Sequence, residues 1–295
     1  MEVYNHSISI INEEIVRHKF PKRPDESYKG DFGKLFCVCG SKKMPGALMF
    51  VVNAALKSGV GGIKVCATPS LYGKINNFEP TLCIVEENEE GFISKKSIET
   101  IVKDMNSCSA AVVGPGLGIN EDTKLLVYKI IKKSSVPLVI DADGINVISE
   151  NINILKEKNS EIILTPHVGE MSRLINKSIE NINSKKIEYA SEFAIENKIN
   201  IVLKGPKTVI SDEMGNLFLN YNSNSGMAKG GSGDVLSGII GSLVSQKLSL
   251  KDAAICGVFL HGFAGNICRE KFSSVSMLPT DLINELPNVF LKFGL

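Results

Sequence analysis

Short apolar runs alternate with longer stretches of helical periodicity along most of the chain. Residues 34–39 (KLFCVC) form one such run, and after Pro45 apolar residues recur at helical spacing as far as Gly59, which predicts a strand, a loop and a helix. Further strands and helices are predicted at 63–67, 110–113, 121–133, 137–140, 162–164 and 185–198. This alternation predicts an α/β fold with a mostly parallel central sheet covered by helices on both faces.

The last third of the chain departs from this alternation. Residues 202–220 predict a short antiparallel excursion, in which residues 213–215 form the turn between two strands. Two long helices follow at 233–245 and 251–269. Because no linker rich in Pro, Gly or Ser divides the sequence, we expect a single domain over 1–295. Ligands of such sheets collect at the carboxyl ends of the strands.

Charge and composition narrow the classes of partner. The net charge of +1 indicates neither nucleic acid nor a membrane as a partner and favours small-molecule chemistry. Charged residues interrupt the first twenty positions, and the apolar stretch 253–268 is too short to span a bilayer, so we expect a cytoplasmic location. The seven cysteines are scattered, which favours reduced thiols, and no Cys/His pair completes a zinc site with Cys37 and Cys39.

A cluster of glycines lies at 227–238 (MAKGGSGDVLSG). Small residues let backbone N–H groups approach a ligand closely, and the helix that follows adds its free N–H groups and the positive end of its dipole. Asp234 falls in the first turn of that helix. An acid there is either a capping residue or a base that accepts the proton of a hydroxyl attacking a phosphoryl group. We interpret Asp234 as the general base, and Gly231, Ser232 and Gly233 as the anion hole.

Three further loops carry candidate ligand-binding residues. The loop GPGLG, which contains Gly116 and Gly118, follows a predicted strand and either admits a pyrophosphate or forms an ordinary tight turn. His167 follows Thr165 and Pro166 at another strand end, where we expect it to face a cleft. Lys204 ends one strand and Thr208 begins the next, so their side chains either reach a nucleotide across the turn or are ordinary hairpin residues.

Three carboxylates are candidates for a magnesium site. Asp141 and Asp143 stand two residues apart after a predicted strand, and Glu170 follows the next strand. Carboxylate oxygens suit a hard cation such as Mg²⁺. All three residues are equally consistent with caps and turn formers, so the metal ligands stay open at this point.

The succession of motifs resembles one protein family. The motifs are SYKGDFGKLFCVCGSKKMPGA (27–47), VVGPGLG (112–118), IDADGINVI (140–148), LTPHVGEMSRL (164–174), VLKGPKTVI (202–210) and NSGMAKGGSGDVLSGII (224–240). In order and spacing they resemble the ADP-dependent NAD(P)H-hydrate dehydratases of the ribokinase-like superfamily, and TPHVGE together with GSGD is the most specific part. The resemblance covers residues 20–290 of the chain.

The resemblance implies a metabolite-repair enzyme of the carbon–oxygen lyase class. Members use ADP, or ATP in eukaryotic relatives, to phosphorylate the hydroxyl of the S epimer of hydrated NADH or NADPH (NADHX, NADPHX), and loss of phosphate restores the nicotinamide ring. The resemblance also implies AMP and phosphate as products, Mg²⁺ as cofactor and a homotetramer. It further implies a separate epimerase protein, because no epimerase segment is visible ahead of the dehydratase motifs.

The family's functional positions carry over to this sequence as an implication of the resemblance. The positions that match hydrate binding are Ala47, Gly116, Gly118, His167 and Asp234. The positions that match adenine-nucleotide binding are Lys204, Gly205, Pro206, Lys207, Thr208 and Gly233. Asp234 again matches the general base.

Three positions depart from the family pattern. Tyr28 stands where many relatives have histidine, and Gly144 stands where alanine is common. Lys229 precedes the glycines where threonine or alanine is frequent, and it either adds positive charge near the terminal phosphate or points to solvent.

Two other functions stay open. A ribokinase-like kinase of a vitamin precursor, such as hydroxyethylthiazole or hydroxymethylpyrimidine, would also use the GSGD loop, although TPHVGE and the GDFG segment argue against it. A nucleotide-binding regulator without catalysis is the second alternative, and the presence of Asp234 argues against that one. The choice between ADP and ATP, and between NADHX and NADPHX, is also open.

Overall fold

Ten strands of the described residues join in one sheet. The computed structural model describes residues 7–75 and 79–295. The strands are β1 (Ile8–Ile10), β2 (Lys34–Val38), β3 (Gly62–Ala67), β4 (Thr81–Ile84), β5 (Ala110–Val113), β6 (Leu138–Ile140), β7 (Ile162–Leu164), β8 (Asn200–Leu203), β9 (Thr208–Ser211) and β10 (Leu217–Asn220). Their spatial order is β1-β10-β9-β8-β7-β6-β5-β2-β3-β4. Neighbours run parallel, except that β9 is antiparallel to both β8 and β10.

Helices cover both faces of the sheet. They are α1 (Glu13–Lys19), α2 (Pro45–Lys57), α3 (Pro69–Tyr72), α4 (Ile98–Met105), α5 (Glu121–Lys133), α6 (Asp143–Glu150), α7 (Val168–Ile175), α8 (Ile179–Ser184), α9 (Lys186–Asn197), α10 (Ser232–Ser245), α11 (Leu250–Ser276) and α12 (Pro279–Phe293). One apolar cluster joins the sheet to α2, α10, α11 and α12, and a second joins its other face to α4, α5, α6, α7 and α9. In the described part of the chain no helix is long and apolar enough to cross a membrane.

The strand residues explain why the sheet is buried on both faces. Along β2, Leu35 and Cys37 belong to one apolar cluster, whereas Phe36 and Val38 belong to the other. Because successive side chains of a strand point to opposite faces, an uninterrupted apolar run suits a strand with a helical layer on each side. The two layers therefore follow directly from the apolar runs in the sequence.

Helix α10 packs unusually close to its neighbours, and this closeness positions its first turn. A side chain at Gly238 would collide with the backbone of Val51 in α2, and one at Gly241 would collide with Val112 of β5. Small residues on one face let α10 lie flat against α2 and the sheet. Its amino end is thereby held at the carboxyl ends of the central strands, beside Asp141 and Lys204.

The structure confirms the predicted fold class. The strands at the centre of the sheet and the antiparallel excursion at 202–220 lie where the apolar runs predict them. The pattern misses β1 and β4, the two edge strands, because each is short and partly exposed. It also misses α12, which begins at Pro279 and contains Pro287. The extent of the single domain, 1–295, stays a prediction.

Candidate active site

The loops that follow β5, β6, β7 and β8 meet the amino end of α10 at one edge of the sheet. Most of the predicted site residues lie on these loops: the GPGLG loop after β5, Asp141 after β6, His167 after β7 and Lys204 after β8. The carboxyl ends of parallel strands share one edge, so the fold brings together residues that are far apart in sequence. In the sheet β5 lies between β6 and β2, so the order of the strands reverses at this point, and the cleft includes this switch point.

A buried ion pair lies at the centre of the cleft. The Nζ atom of Lys204 is 2.8 Å from Oδ1 of Asp141 and 3.9 Å from Oε2 of Glu170. The Asp141 carboxylate is 1% exposed, and its second oxygen accepts a hydrogen bond from Ser237 Oγ at 2.6 Å. Burial disfavours the charged form of both side chains, but their mutual attraction is stronger than this effect. The ammonium of Lys204 therefore lowers the pKa of Asp141, and the carboxylates of Asp141 and Glu170 raise the pKa of Lys204. The pair is therefore fully ionised at neutral pH.

His167 and Glu170 cap the start of α7. The Nδ1 atom of His167 accepts hydrogen bonds from the N–H groups of Gly169 (2.9 Å) and Glu170 (3.2 Å), and Glu170 Oε2 accepts one from the N–H of His167 at 2.7 Å. This reciprocal arrangement is a capping box with histidine in the first position. Burial, together with the positive charges of Lys204 and Arg173, lowers the pKa of His167. Because Nδ1 accepts two hydrogen bonds, the ring proton lies on Nε2, which is 3.5 Å from Oε1 of Glu170, and 55% of the His167 side chain is exposed.

Asp234 occupies the third position of α10, next to the ion pair. A side chain at Gly233 would come within 3.2 Å of Lys204 Nζ and 3.7 Å of Asp141 Oδ2, so the first turn of α10 lies directly against these charges. Burial, reinforced by the negative charge of Asp141, raises the pKa of Asp234 from 3.8 to about 7. A carboxylate with that pKa is matched to accepting a proton near neutral pH.

The N–H groups at the start of α10 are only partly free, because that of Ser232 donates to the carbonyl of Lys229 at 3.2 Å. Gly231 adopts a φ of 100°, and a side chain there would collide with the ring of Phe50. Within the described residues, the N–H groups of Gly233 and Asp234 donate to no acceptor, as is usual for the first turn of a helix. Together with the dipole of α10, they favour an anion at this position.

Comparison with known proteins matches this sequence to one family. Residues 35–288 match the family described as NAD(P)H-hydrate dehydratase. The chain is 30% identical over 281 residues to the ADP-dependent (S)-NAD(P)H-hydrate dehydratase of Bacillus subtilis, covering 95% of this chain and 97% of that protein. This chain belongs to the NAD(P)H-hydrate dehydratase family.

Two further relatives extend the comparison. The chain is 36% identical over 269 residues to a bifunctional NAD(P)H-hydrate repair enzyme of Thermofilum pendens, and that match covers 90% of this chain but about half, 51%, of that protein. A crystal structure of the ADP/ATP-dependent NAD(P)H-hydrate dehydratase of B. subtilis, co-crystallised with ATP and Mg²⁺, superposes with a TM-score of 0.84 at 29% identity and covers 99% of this chain and 100% of that one. The chain thus spans nearly the whole length of the B. subtilis dehydratase and about half the length of the bifunctional T. pendens enzyme.

The GPGLG loop packs against the start of α2, which brings two of the predicted hydrate-binding positions, Gly116 and Ala47, close together. A side chain at Gly116 would come within 2.7 Å of Cβ of Ala47, and one at Gly118 would collide with the ring of Phe92. The N–H of Gly118 also donates to Asp143 Oδ2 at 2.8 Å, which ties the GPGLG loop to the start of α6. These contacts leave no room for larger residues at either glycine. That the hydrate binds here stays a prediction.

The predicted nucleotide-binding turn, Lys204–Thr208, connects β8 to β9 beside the same cleft. The N–H of Lys204 donates to the carbonyl of Pro166 at 2.8 Å, which fixes the start of the turn against the loop that carries His167. Pro206 and Lys207 are exposed, and the Nζ of Lys207 lies 5.5 Å from the centre of the Tyr221 ring. Nucleotide binding by these residues stays a prediction.

The three candidate metal ligands do not converge. Among the described residues, no three His, Cys, Asp or Glu side chains form a group that could hold a metal ion. Asp141 is engaged by Lys204 and Ser237, Glu170 by the N–H of His167, and Asp143 by the N–H of Gly118. This donor set fits a Mg²⁺ ion that takes most of its ligands from nucleotide phosphates and water, and at most one or two from carboxylates.

The three departures from the family pattern have structural accounts. Lys229 Nζ donates to the carbonyl of Val275 at 2.8 Å, so its charge is held at the end of α11. A methyl group at Gly144 would come within 2.6 Å of the side chain of Ile140, which favours glycine in this chain. The Tyr28 side chain is exposed and folds over Gly30.

Proposed function

We propose that this chain dehydrates (6S)-NADHX and (6S)-NADPHX in an ADP-dependent reaction that releases AMP and phosphate. The observation that carries the proposal is the placement of Asp234, whose carboxylate has a pKa of about 7 and lies beside the free N–H groups at the start of α10. A base and an anion site side by side suit transfer of a phosphoryl group to a hydroxyl. Membership of the dehydratase family supports the choice of hydroxyl.

The proposed reaction has two steps. In the first, Asp234 accepts the proton of the hydrate's hydroxyl while that oxygen bonds to the β-phosphorus of ADP and the bond to the AMP oxygen breaks. The N–H groups of Gly233 and Asp234 hold the charge that develops on the phosphoryl oxygens. In the second step the carbon–oxygen bond to phosphate breaks and the ring loses a proton, which restores the double bond of the reduced nicotinamide.

A positively charged side chain in the cleft offsets the negative charge of the phosphates. Lys204 presents a fixed ammonium beside the start of α10, and its pairing with Asp141 keeps it protonated. The B. subtilis relative was crystallised with ATP and Mg²⁺, so we propose Mg²⁺ as cofactor here as well. Bound to the phosphates, Mg²⁺ would neutralise charge and orient the transferred group, and Asp141 and Glu170, the carboxylates beside Lys204, would receive its water ligands.

Incubation with the hydrate tests the proposal. Purified protein is mixed with NADHX, Mg²⁺ and either ADP or ATP, and the absorbance of the reduced nicotinamide is followed. We expect the absorbance to return with at least one nucleotide, and the nucleotide that supports it is the phosphoryl donor. If neither nucleotide restores the absorbance while ADP binding is measurable, the vitamin-precursor kinase becomes the better interpretation.

Our proposal also includes the oligomeric state, the location and a partner enzyme. We propose a homotetramer in the cytoplasm, and a separate epimerase that interconverts the two hydrates. The name of the T. pendens relative, a bifunctional repair enzyme of which this chain covers half, supports a second activity in the same repair process. Light scattering coupled to size exclusion tests the tetramer, and a monomeric mass would contradict it.

Two substitutions of His167 separate its capping role from substrate binding. Asparagine is a good N-cap and alanine is a poor one, so His167→Ala should lower the free energy of unfolding by about 1 kcal/mol relative to His167→Asn. Both variants remove the Nε2–H donor of the half-exposed ring, and both should raise the KM for the hydrate by about tenfold. Urea unfolding and steady-state kinetics measure the two effects. A wild-type KM in His167→Asn would remove His167 from the substrate site.

A further inference from the structure

Lys186, a residue that the sequence patterns do not single out, lies beneath the turn Lys204–Thr208. Its Nζ atom donates hydrogen bonds to the carbonyl of Lys207 at 2.6 Å and to the carbonyl of Lys204 at 3.2 Å. Gly205 leaves the space for this contact, because a side chain at that position would come within 2.6 Å of Nζ. The ammonium therefore bridges the two ends of the turn.

The position is costly for a lysine. Lys186 is the first residue of α9, where the positive end of the helix dipole repels a cation. Burial lowers its pKa to about 8. Among the described residues, no carboxylate lies within ion-pair distance of Nζ to offset these penalties. The hydrogen bonds to the carbonyls of Lys204 and Lys207 are the favourable interactions that offset these penalties, so we infer that Lys186 is placed there to hold the turn.

The bonds of Lys186 complete a pattern along the turn. All four carbonyls from Lys204 to Lys207 accept side-chain hydrogen bonds: two from Lys186, one from Thr208 Oγ1 to Gly205 at 3.3 Å, and one from Ser223 Oγ to Pro206 at 2.6 Å. The N–H groups of Gly205 and Lys207 donate to no acceptor within the described residues. A turn with its carbonyls occupied and its N–H groups free is suited to bind an anion.

Peptide geometry links Lys186 to one of those free donors, the N–H of Gly205. The peptide bond is planar and trans, so the N–H of Gly205 points opposite to the carbonyl of Lys204. When Lys186 draws that carbonyl inward, the N–H of Gly205 is turned outward. The same anchor also fixes the main chain of Lys204, whose side chain carries the charge in the cleft.

We propose that Lys186 is a positioning residue for the nucleotide: its ammonium anchors the carbonyls of Lys204 and Lys207, holds the turn in place and so presents the N–H of Gly205 to the phosphates of ADP. The inference rests on the proposed function for the identity of the nucleotide. It concerns binding of ADP and not the chemical step, because the hydrogen bonds that Lys186 makes to the described residues go to main-chain carbonyls of the turn.

The test compares Lys186→Met with Lys186→Arg and with Lys185→Ala. Lys185 is the preceding residue, is exposed and pairs with Glu188 at 3.1 Å, so it is a matched control for loss of a lysine charge at the start of α9. We expect Lys186→Met to raise both the Kd and the KM for ADP by about tenfold. The kcat at saturating ADP and the KM for the hydrate should change less than about twofold, since uniform binding alone is lost.

The two other variants should behave differently. Lys186→Arg keeps donors for the carbonyls and should restore the ADP constants to within about threefold of wild type, and Lys185→Ala should match wild type. Calorimetry measures the Kd for ADP without turnover, so it tests the inference even if the wild-type protein shows no dehydratase activity. Unchanged ADP affinity in Lys186→Met, or a Lys186→Arg variant as weak as Lys186→Met, would overturn the inference.

Discussion

Asp234→Asn should lower kcat by about 10²–10⁴-fold while the Kd for ADP changes little, because the lost group acts on the proton of the hydroxyl. The amide is isosteric with the carboxylate and keeps the packing at the start of α10. Asp252→Asn is the matched control, because Asp252 is also the third residue of a long helix and pairs with Lys19 at 2.5 Å. Stopped-flow or steady-state absorbance of the reduced nicotinamide measures kcat, and calorimetry measures Kd.

The stability of the same variant gives an independent check. The pKa of Asp234 is raised from 3.8 to about 7 in the folded protein, so the folded state binds a proton that the unfolded state releases. Asp234 therefore makes its full contribution to the free energy of unfolding below its unfolded pKa of 3.8. This contribution is lost as the pH rises from that value through the folded pKa of about 7. Asparagine does not ionise, so Asp234→Asn should have a higher Tm than wild type at about pH 8, and the difference should become small at about pH 4, near the unfolded pKa. An inactive variant with a lower Tm at both pH values would indicate a structural role for Asp234.

Lys204→Met should cause the second large loss, and it should affect both stability and nucleotide binding. Asp141 is 1% exposed, and removal of its partner leaves an uncompensated buried carboxylate, which costs about 3–5 kcal/mol of unfolding free energy. Loss of the ammonium should also weaken ADP binding by about 10–100-fold. Lys204 lowers the pKa of Asp234, so the acidic limb of the pH–rate profile should move to higher pH in this variant.

A double variant separates the two consequences. Lys204→Met combined with Asp141→Asn removes the unpaired charge at position 141, and the amide can still accept the hydrogen bond from Ser237. We expect the double variant to recover most of the lost stability but none of the lost ADP affinity. Thermal unfolding and calorimetry are measured for the wild type, the two single variants and the double variant, which together form a double-mutant cycle. Recovery of ADP binding in the double variant would show that Lys204 acts only through the fold.

Much of the architecture could be predicted because it depends on local pattern. Apolar runs bounded by Gly, Pro and Asp mark the inner strands, and the glycines before Asp234 mark the start of α10. The edge strand β1 could not be found in this way, because it is stabilised by pairing with β10, more than 200 residues later. Exposed isoleucines on a three-residue strand carry no pattern of their own.

The residues of the candidate site also divide into those that a local motif reveals and those that depend on contacts distant in sequence. Gly116, Gly118 and Asp234 are visible in motifs, but the partner of Lys204 is 63 residues away in sequence, and nothing in the local pattern links it to Asp141. The cap formed by His167 and Glu170 left a signal, since the two residues have the spacing of a capping box. Lys186 left none, because its contacts are with main-chain carbonyls of a turn 18 and 21 residues later.

The pH dependence of the repair reaction tests the central claim most directly. The initial rate of ADP-dependent recovery of NADH from NADHX is measured from about pH 5 to about pH 9 in the wild type and in Asp234→Asn. We predict that the wild-type kcat/KM rises through a limb at about pH 7 to a plateau, and that Asp234→Asn shows no such limb and almost no activity. A wild-type limb that persists in an active Asp234→Asn variant would contradict the assignment of Asp234 as the base.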